Sequence, residues 1–246
     1  MAERAWRMAR GGILVALDTT DLAVARGWAR ATRGAAAGVK LGLEFFNARG
    51  PDGVAEIAEL GAPVFLDLKF HDIPNTVAGS IRAVAPLKPM ILNLHAAGGA
   101  TMMRAALDAA GDSAARLGTQ PPKLIAVTVL TSLGDQDLAE IGQPAGALDQ
   151  VRRLAALTKN CGLDGVVCSP REIAILRRDL GEDFLLVIPG VRPSWAAAGD
   201  QKRVMEPRQA VEAGADYLVI GRPITGAADP GDAARRIAAE ISGVPA

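Results

Sequence analysis

Aromatic residues, histidines and cysteines are scarce in this chain, and its formal net charge is zero. Of 246 residues, 4% are aromatic, two are histidines and two are cysteines. So few rings argue against a surface on which nucleic acid bases stack, and the balanced charge argues against a broad basic field for nucleic acid. Cys161 and Cys168 have no histidine pair nearby, so neither a zinc site nor a disulfide framework is expected. Two small buried thiols in a reducing compartment are expected instead.

Long apolar runs are also missing. No stretch approaches the ~20 residues that a membrane-spanning helix needs, and residues 1–10 lack the apolar core of a secretion signal. The composition, 50% hydrophobic and 22% charged, is that of an ordinary globular protein. We therefore expect a cytoplasmic protein with no membrane or nucleic acid partner.

Short apolar runs alternate along the chain with segments in which apolar residues recur at helical spacing. The apolar runs are 13–17, 39–43, 64–68, 90–94, 124–130, 165–168, 184–188 and 217–220. The helical segments are 22–36, 53–60, 77–85, 100–117, 148–160, 171–180, 207–213 and 232–241. This alternation predicts parallel strands joined by helical crossovers. Eight such units in a chain of this length favour an α/β fold of the (β/α)8 TIM barrel type, with a doubly wound open sheet as the alternative.

The same pattern predicts a single domain over residues 1–246, with residues 1–10 as an N-terminal extension, because no flexible linker interrupts it. In such a barrel the active site lies at the carboxyl ends of the strands. Polar residues collect at these predicted strand ends, and this many of them predict one pocket. They are Asp18, Lys40, Asp67, Lys69, His95, Thr131, Arg192, Gly221 and Arg222.

The third strand ends in a row of charges. Residues two apart on a strand share a face, so Asp67 and Lys69 are expected to project side by side. A buried strand carries two such charges only when they are paired. Asp72 follows in the next turn and could complete an acid–base–acid row, after which Pro74 predicts the start of a helix. A purely structural salt bridge at the strand end is the alternative explanation.

The loops after strands 7 and 8 predict a phosphate site, which this fold usually places there. Gly190 and Gly221 allow a close approach of the backbone. Arg192 and Arg222 offer forked donors that suit phosphate oxygens. Solvated arginines on a loop are the alternative.

The chemistry predicted for this pocket rests on lysines and carboxylates. Carboxylates beside Lys40 and Lys69 keep the lysines protonated, because each contact at ~4 Å is worth about 4 kcal/mol at an effective dielectric of ~20. An ammonium group donates protons well and stabilises a developing anion. No Ser-His-Asp set, metal motif or dinucleotide fingerprint is present, and His95 is expected to line the pocket rather than to act as a base. The residues alone thus predict proton delivery to a carbanion of a phosphorylated substrate, which they do not identify.

Residues 67–76, Asp-Leu-Lys-Phe-His-Asp-Ile-Pro-Asn-Thr, closely resemble the signature of the orotidine 5'-phosphate decarboxylase family. Other segments resemble the family in the same order, namely 14–18, 39–44, 129–132, 189–193, 199–203 and 218–225. The resemblance extends over nearly the whole chain. It implies a (β/α)8-barrel homodimer that converts orotidine 5'-phosphate (OMP) to UMP and carbon dioxide, the last step of de novo UMP synthesis, without a metal or an organic cofactor.

The resemblance also implies roles for the charged residues. Lys69 would donate the proton to C6 of the pyrimidine, and Asp67 would crowd the substrate carboxylate electrostatically. Lys40 would hold Asp67 and a ribose hydroxyl, and Asp18 would bind the ribose.

The remaining implied roles concern the dimer and the rest of the substrate. Asp72 and Thr76 would be lent across the dimer interface to the neighbouring site. Thr131 would contact the pyrimidine edge, and Gln201 would bridge base and phosphate from a closing loop. The implied phosphate grip consists of Arg192, Gly221 and Arg222.

Two alternatives stay open from the sequence. A metal-dependent sugar-phosphate decarboxylase or hexulose-phosphate synthase shares the D-x-K-x-x-D row, although the Ile73-Pro74-Asn75-Thr76 continuation and Gln201 favour the nucleotide enzyme. The second alternative is a non-catalytic barrel that binds a phosphate ligand.

Overall fold

A computed structural model of the chain describes residues 10–143, 146–195 and 205–243. Eight parallel strands form a closed barrel in the order β1 to β8, and helices alternate with them along the chain. The predicted (β/α)8 fold is confirmed, and closure excludes the open sheet. Of the predicted N-terminal extension, residues 1–9 lie outside the described part.

The eight strands all overlap the apolar runs that predicted them. They are β1 (Gly12–Ala16), β2 (Gly38–Gly42), β3 (Val64–Phe70), β4 (Ile91–His95), β5 (Lys123–Val127), β6 (Gly165–Val167), β7 (Leu185–Pro189) and β8 (Tyr217–Ile220). The largest difference is in β5, which was predicted to continue to residue 130. Both the N–H and the hydroxyl of Thr128 donate to the carbonyl of Val167, at 3.4 and 3.2 Å, at the point where the strand stops. Thr131 therefore lies beyond the strand, in an exposed turn.

The described helices are α1 (Leu22–Ala31), α2 (Leu43–Ala58), α3 (Pro74–Val84), α4 (Gly99–Leu117), α5 (Asp135–Glu140), α6 (Ala147–Asn160), α7 (Ile173–Leu180), α8 (Pro207–Glu212), α9 (Arg222–Thr225) and α10 (Pro230–Ser242). Local signals set several of their ends. Asp21 caps α1 by accepting from the N–H groups of Ala23 and Val24, and Pro74 occupies the first turn of α3 as predicted. The short helices α5 and α9 were not predicted.

Helix α2 begins well before the predicted residue 53. It contains a kink at Gly50, whose φ is 62°, followed by Pro51. Because glycine adopts this left-handed conformation without steric cost and proline cannot continue the hydrogen-bond ladder, the two residues divide α2 into two helical pieces. Only the second piece was predicted.

The chain packs as two compact units. The first unit combines the two ends of the chain, up to Val64 and from Leu186, and the second runs from Phe65 to Leu185. Leu14, Leu17 and Leu41 are fully buried in the first unit. In the second unit, Leu66 and Leu92 are paired in the β3–β4 register and are both fully buried. The assignment of residues 1–246 to one domain stays a prediction.

Cys161 and Cys168 are both buried, and no disulfide bond joins them. Across the described ranges, no helix combines the length and the apolar character that crossing a membrane demands.

Candidate active site

In the second unit, β3 carries an ion pair. The ammonium of Lys69 lies 2.6 Å from Oδ1 of Asp67. Asp67 is buried, with 8% of its surface exposed, while the Lys69 side chain is 30% exposed. The predicted pairing of these two charges is confirmed, and the pair places one ammonium group where it can reach a bound molecule.

The backbone that presents Lys69 is not a regular strand. From Leu66 to Phe70, β3 advances four positions while its partner β4 advances two, from Leu92 to Leu94. Lys69 lies inside this bulge with φ of 51°, a left-handed value that non-glycine residues rarely adopt. Bulges redirect a side chain, and strained backbone of this kind concentrates at functional sites. The two charges therefore meet through a bulge rather than through the regular alternation from which their pairing was predicted.

Asn93, on β4, holds both residues of the pair. Its side chain is buried, with only 1% of the residue exposed. Its Nδ2 donates to Oδ1 of Asp67 at 2.6 Å, and its Oδ1 accepts from the backbone N–H of Lys69 at 2.8 Å. Asn93 was missed as a site residue, although an amide in the middle of an apolar strand was a signal that could have identified it.

Two histidines lie beside this cluster. His95 ends β4, and its ring stacks with that of His71, with centroids 5.3 Å apart and planes inclined by 29°. Burial lowers the pKa of His95, repulsion from His71 and Lys69 lowers it further, and the charge of Asp67 partly opposes the shift. His95 is therefore neutral at pH 7, and its expected place in the pocket wall stays a prediction.

Asp72 and Thr76 follow the pair in the loop and first turn after β3. Both are exposed, and Oδ1 of Asp72 accepts from the N–H of Ile73 at 2.6 Å. Among the described residues Asp72 forms no ion pair, so the predicted acid–base–acid row is not completed within the second unit. The side chain of Ile73 between them is also exposed, by 66%.

The first unit holds a second lysine–carboxylate pair. Lys40 lies in β2, is 9% exposed, and places its ammonium 2.9 Å from Oδ1 of Asp18, which follows β1. A Cβ at Gly42 would lie 3.0 Å from that ammonium. Glycine at this position therefore leaves the room that the pair occupies.

The residues predicted to bind phosphate also belong to the first unit. Gly190 has φ of 80°, which requires glycine, and Arg192 is buried. The N–H of Arg192 donates to the carbonyl of Met205 at 3.1 Å, which joins the two ends of the long connection after β7. Gly221 follows β8, and Arg222 is exposed at the start of α9. Gln201, predicted to lie on the closing loop, falls outside the described residues.

The acidic, histidine and cysteine side chains do not gather into a metal site among the residues described. In the described part of the chain, no group of three or more histidine, cysteine, aspartate or glutamate residues could hold a metal ion. The described polar contacts at the strand ends include the ion pairs Asp67–Lys69 and Asp18–Lys40.

A closed barrel of parallel strands with lysine–aspartate pairs at the strand ends is an arrangement typical of enzymes. Residues 12–237 match the Orotidine 5'-phosphate decarboxylase / HUMPS family, and the chain belongs to this family. It is 60% identical over 238 residues to the orotidine 5'-phosphate decarboxylase of Rhodospirillum rubrum, covering 96% of each protein. It is 52% identical to that of Moorella thermoacetica, covering 95% of this chain and 93% of the relative. The crystal structure of the orotidine 5'-phosphate decarboxylase from Lactobacillus acidophilus has a TM-score of 0.83 and 38% identity, covering 94% of this chain and 99% of that one.

Proposed function

We propose that this protein decarboxylates OMP to UMP and carbon dioxide. The observation that carries the proposal is the Asp67–Lys69 ion pair, at 2.6 Å, within the segment that most closely resembles the family. Relatives bearing the name of this activity are 46–60% identical over most of the chain. OMP is the substrate and UMP the product of the reaction for which these relatives are named.

In the proposed reaction, Lys69 acts on the charge that decarboxylation creates. The bond between C6 and the carboxylate breaks, carbon dioxide leaves, and the electron pair stays on C6. The ammonium of Lys69 stabilises this pair and transfers a proton to C6, which yields UMP and a neutral amine that regains its proton from water. The ammonium is held in position before the reaction by Asp67, so little reorganisation is needed as the charge develops.

Asp67 has a second part in the proposal. It is a buried carboxylate, and the substrate carboxylate would lie against it. Two negative charges in close contact raise the energy of the bound substrate, and this repulsion disappears when carbon dioxide leaves. Binding energy from the distant phosphate and ribose would offset the repulsion.

The remaining assigned residues would bind the rest of OMP, so that all of them contact the same substrate molecule. Asp18 and Lys40 would hold the ribose, Thr131 the pyrimidine edge, and Gln201 both base and phosphate. The phosphate would be gripped by Arg192, Gly221 and Arg222. The buried, glycine-flanked position of Arg192 supports this role, since Gly190 provides the turn before it.

The proposal includes a homodimer in the cytoplasm, without metal or organic cofactor and without a nucleic acid or membrane partner. Asp72 and Thr76 would enter the partner's site. Their exposure leaves both side chains accessible to a second subunit.

The direct test is to incubate the purified protein with OMP and EDTA and to follow the loss of the orotate absorbance. We expect turnover at the same rate with and without the chelator. Loss of turnover in EDTA that returns with a divalent ion would favour the metal-dependent sugar-phosphate enzymes. Binding of UMP without any turnover of OMP would favour the non-catalytic barrel.

A further inference from the structure

We propose that Asn93 is a positioning residue that sets the geometry of the Asp67–Lys69 pair for catalysis. The inference rests on the proposed function, because it concerns the same reaction. It is based on three hydrogen bonds that link Asn93, Asp67 and Lys69 to one another. It is also based on the shift in the backbone pairing between β3 and β4.

Asn93 accepts a hydrogen bond from the backbone of Lys69. In the bulge, β3 has two more positions than β4 between the register pairs Leu66–Leu92 and Phe70–Leu94. The N–H of Lys69 donates instead to Oδ1 of Asn93 at 2.8 Å. A buried N–H without an acceptor is costly, and the left-handed φ of Lys69 is itself unfavourable. The Asn93 carbonyl therefore stabilises the backbone conformation that aims the Lys69 side chain.

Asn93 also holds the carboxylate of Asp67. Its Oδ1 accepts from Nδ2 of Asn93 and from the Lys69 ammonium, each at 2.6 Å. The amide thereby restrains the rotation of the carboxylate that holds the ammonium. It does so as a neutral donor, so it adds no charge to the pair.

An amide suits position 93 because it offers both an acceptor and a donor. One buried side chain must offer an acceptor to the N–H of Lys69 and a donor to Asp67. An asparagine offers both. An aspartate of the same shape would keep the acceptor, lose the donor and repel Asp67. A leucine of similar volume would lose both contacts.

The test compares Asn93→Asp and Asn93→Leu with the unmodified protein and with Thr158→Val. Thr158 is also fully buried in the second unit, where its hydroxyl donates to the carbonyl of Leu154 at 2.7 Å. The control thus removes a buried hydrogen bond from α6 rather than from the lysine–carboxylate cluster. We expect kcat for OMP to fall about 10- to 100-fold in both Asn93 variants, because small displacements of catalytic groups have effects of this size. Affinity for UMP and kcat of Thr158→Val should stay close to the unmodified values.

The pH profile separates positioning from a structural role. In Asn93→Asp, two carboxyl groups would lie in contact, so one of them binds a proton more readily. The protonated group regains an O–H donor, and kcat of this variant should rise relative to the unmodified protein as the pH falls. Asn93→Leu should show no such recovery. If Asn93→Leu does not fold, amide hydrogen exchange in the unmodified protein supplies the second measurement, and the Lys69 N–H should be strongly protected.

The outcomes are distinct. Wild-type kcat in Asn93→Asp across the pH range, an equal fall in Thr158→Val, or rapid exchange of the Lys69 amide overturns this inference alone. Absence of OMP turnover in the unmodified protein overturns the proposed function and this inference with it. A fall in kcat that Asn93→Asp recovers at low pH supports both.

Discussion

Gly221, which belongs to the proposed phosphate site, has space around its Cα for a small side chain. A Cβ at this position would lie 3.4 Å from Cβ of Ala16 and 3.8 Å from Oδ2 of Asp18, which are ordinary contact distances. The free protein therefore has space for a methyl group there.

We predict that Gly221→Ala still folds, since there is space for its Cβ, but that it binds OMP more weakly. The KM should rise by at least about tenfold if the methyl group displaces one charged hydrogen bond, which is worth roughly 1.5–3 kcal/mol. The matched control is Gly27→Ala on α1, where nothing lies within 4 Å of the added Cβ. That control should leave the KM unchanged and stabilise the helix by about 0.5–1 kcal/mol. Equal KM values for the two variants would remove Gly221 from the proposed phosphate grip.

His95 leads to a prediction about pH. Its pKa is lowered in the folded protein by burial and by repulsion from His71 and Lys69, against the attraction of Asp67. In the unfolded chain it has the ordinary value of about 6.5. The unfolded chain therefore binds a proton in a pH range where folded His95 stays neutral. The stability that this difference contributes is complete above pH ~6.5 and is lost as the pH falls toward the lowered value.

The expected result is that His95→Gln loses less stability between pH 7 and pH 5 than the unmodified protein does. Urea unfolding at several pH values measures the difference, with His71 present in both proteins. Parallel stability curves for the two proteins would show that His95 does not titrate as its surroundings indicate.

At the scale of elements, the pairing of β3 with β4 shows which features of the site could be predicted from the sequence and which could not. Apolar runs and charges at their ends are local signals, so the strands and the Asp67–Lys69 pair were predictable. The bulge was not, because strand periodicity assumes one residue opposite each partner. Asn93 was missed for the same reason, since its partners are set by the bulge. Strand 5 was predicted to continue to residue 130, directly before Thr131, and this was wrong, because β5 ends at Val127. The hydrogen bonds from Thr128 to Val167 at this end leave no trace in the apolar pattern.

The bulge also makes a prediction about stability. Lys69 has φ of 51°, a conformation that costs roughly 1–2 kcal/mol for residues with a side chain and little for glycine. Lys69→Gly should therefore be more stable than Lys69→Ala by roughly 0.5–1 kcal/mol, after allowing for the greater freedom of glycine in the unfolded chain. Thermal unfolding of the two variants provides the comparison. A less stable Lys69→Gly would mean that the left-handed backbone is not retained without the lysine.

At the scale of the whole molecule, the family match over residues 12–237 and the closed barrel agree with the fold predicted from eight alternating units. The short helices α5 and α9 were not predicted from the sequence. The residue pattern alone also does not predict the assembly, because interface residues look like any exposed side chains along one chain, and only the family resemblance implied a homodimer. Asp72 and Thr76 are exposed here, and their proposed place in a partner's site is a property of the dimer.

Shared sites predict complementation between inactive subunits. In a hybrid of Lys69→Ala and Asp72→Ala chains, one of the two sites regains both groups. Random mixing makes about half of the dimers hybrids, so up to about a quarter of the unmodified activity should return. The measurement is OMP turnover after the two variants are denatured and refolded together, with each variant refolded alone as the control. Confirmed heterodimers without recovered activity would argue against a site completed by Asp72 of the partner subunit.

The central claim is that the ammonium of Lys69 carries out the chemistry of decarboxylation. It is tested most directly by OMP turnover of Lys69→Ala, followed by the loss of the orotate absorbance, with UMP binding measured on the same sample to show that the protein is folded. We predict that Lys69→Ala does not decarboxylate OMP but still binds UMP. Full turnover by the folded variant would contradict it.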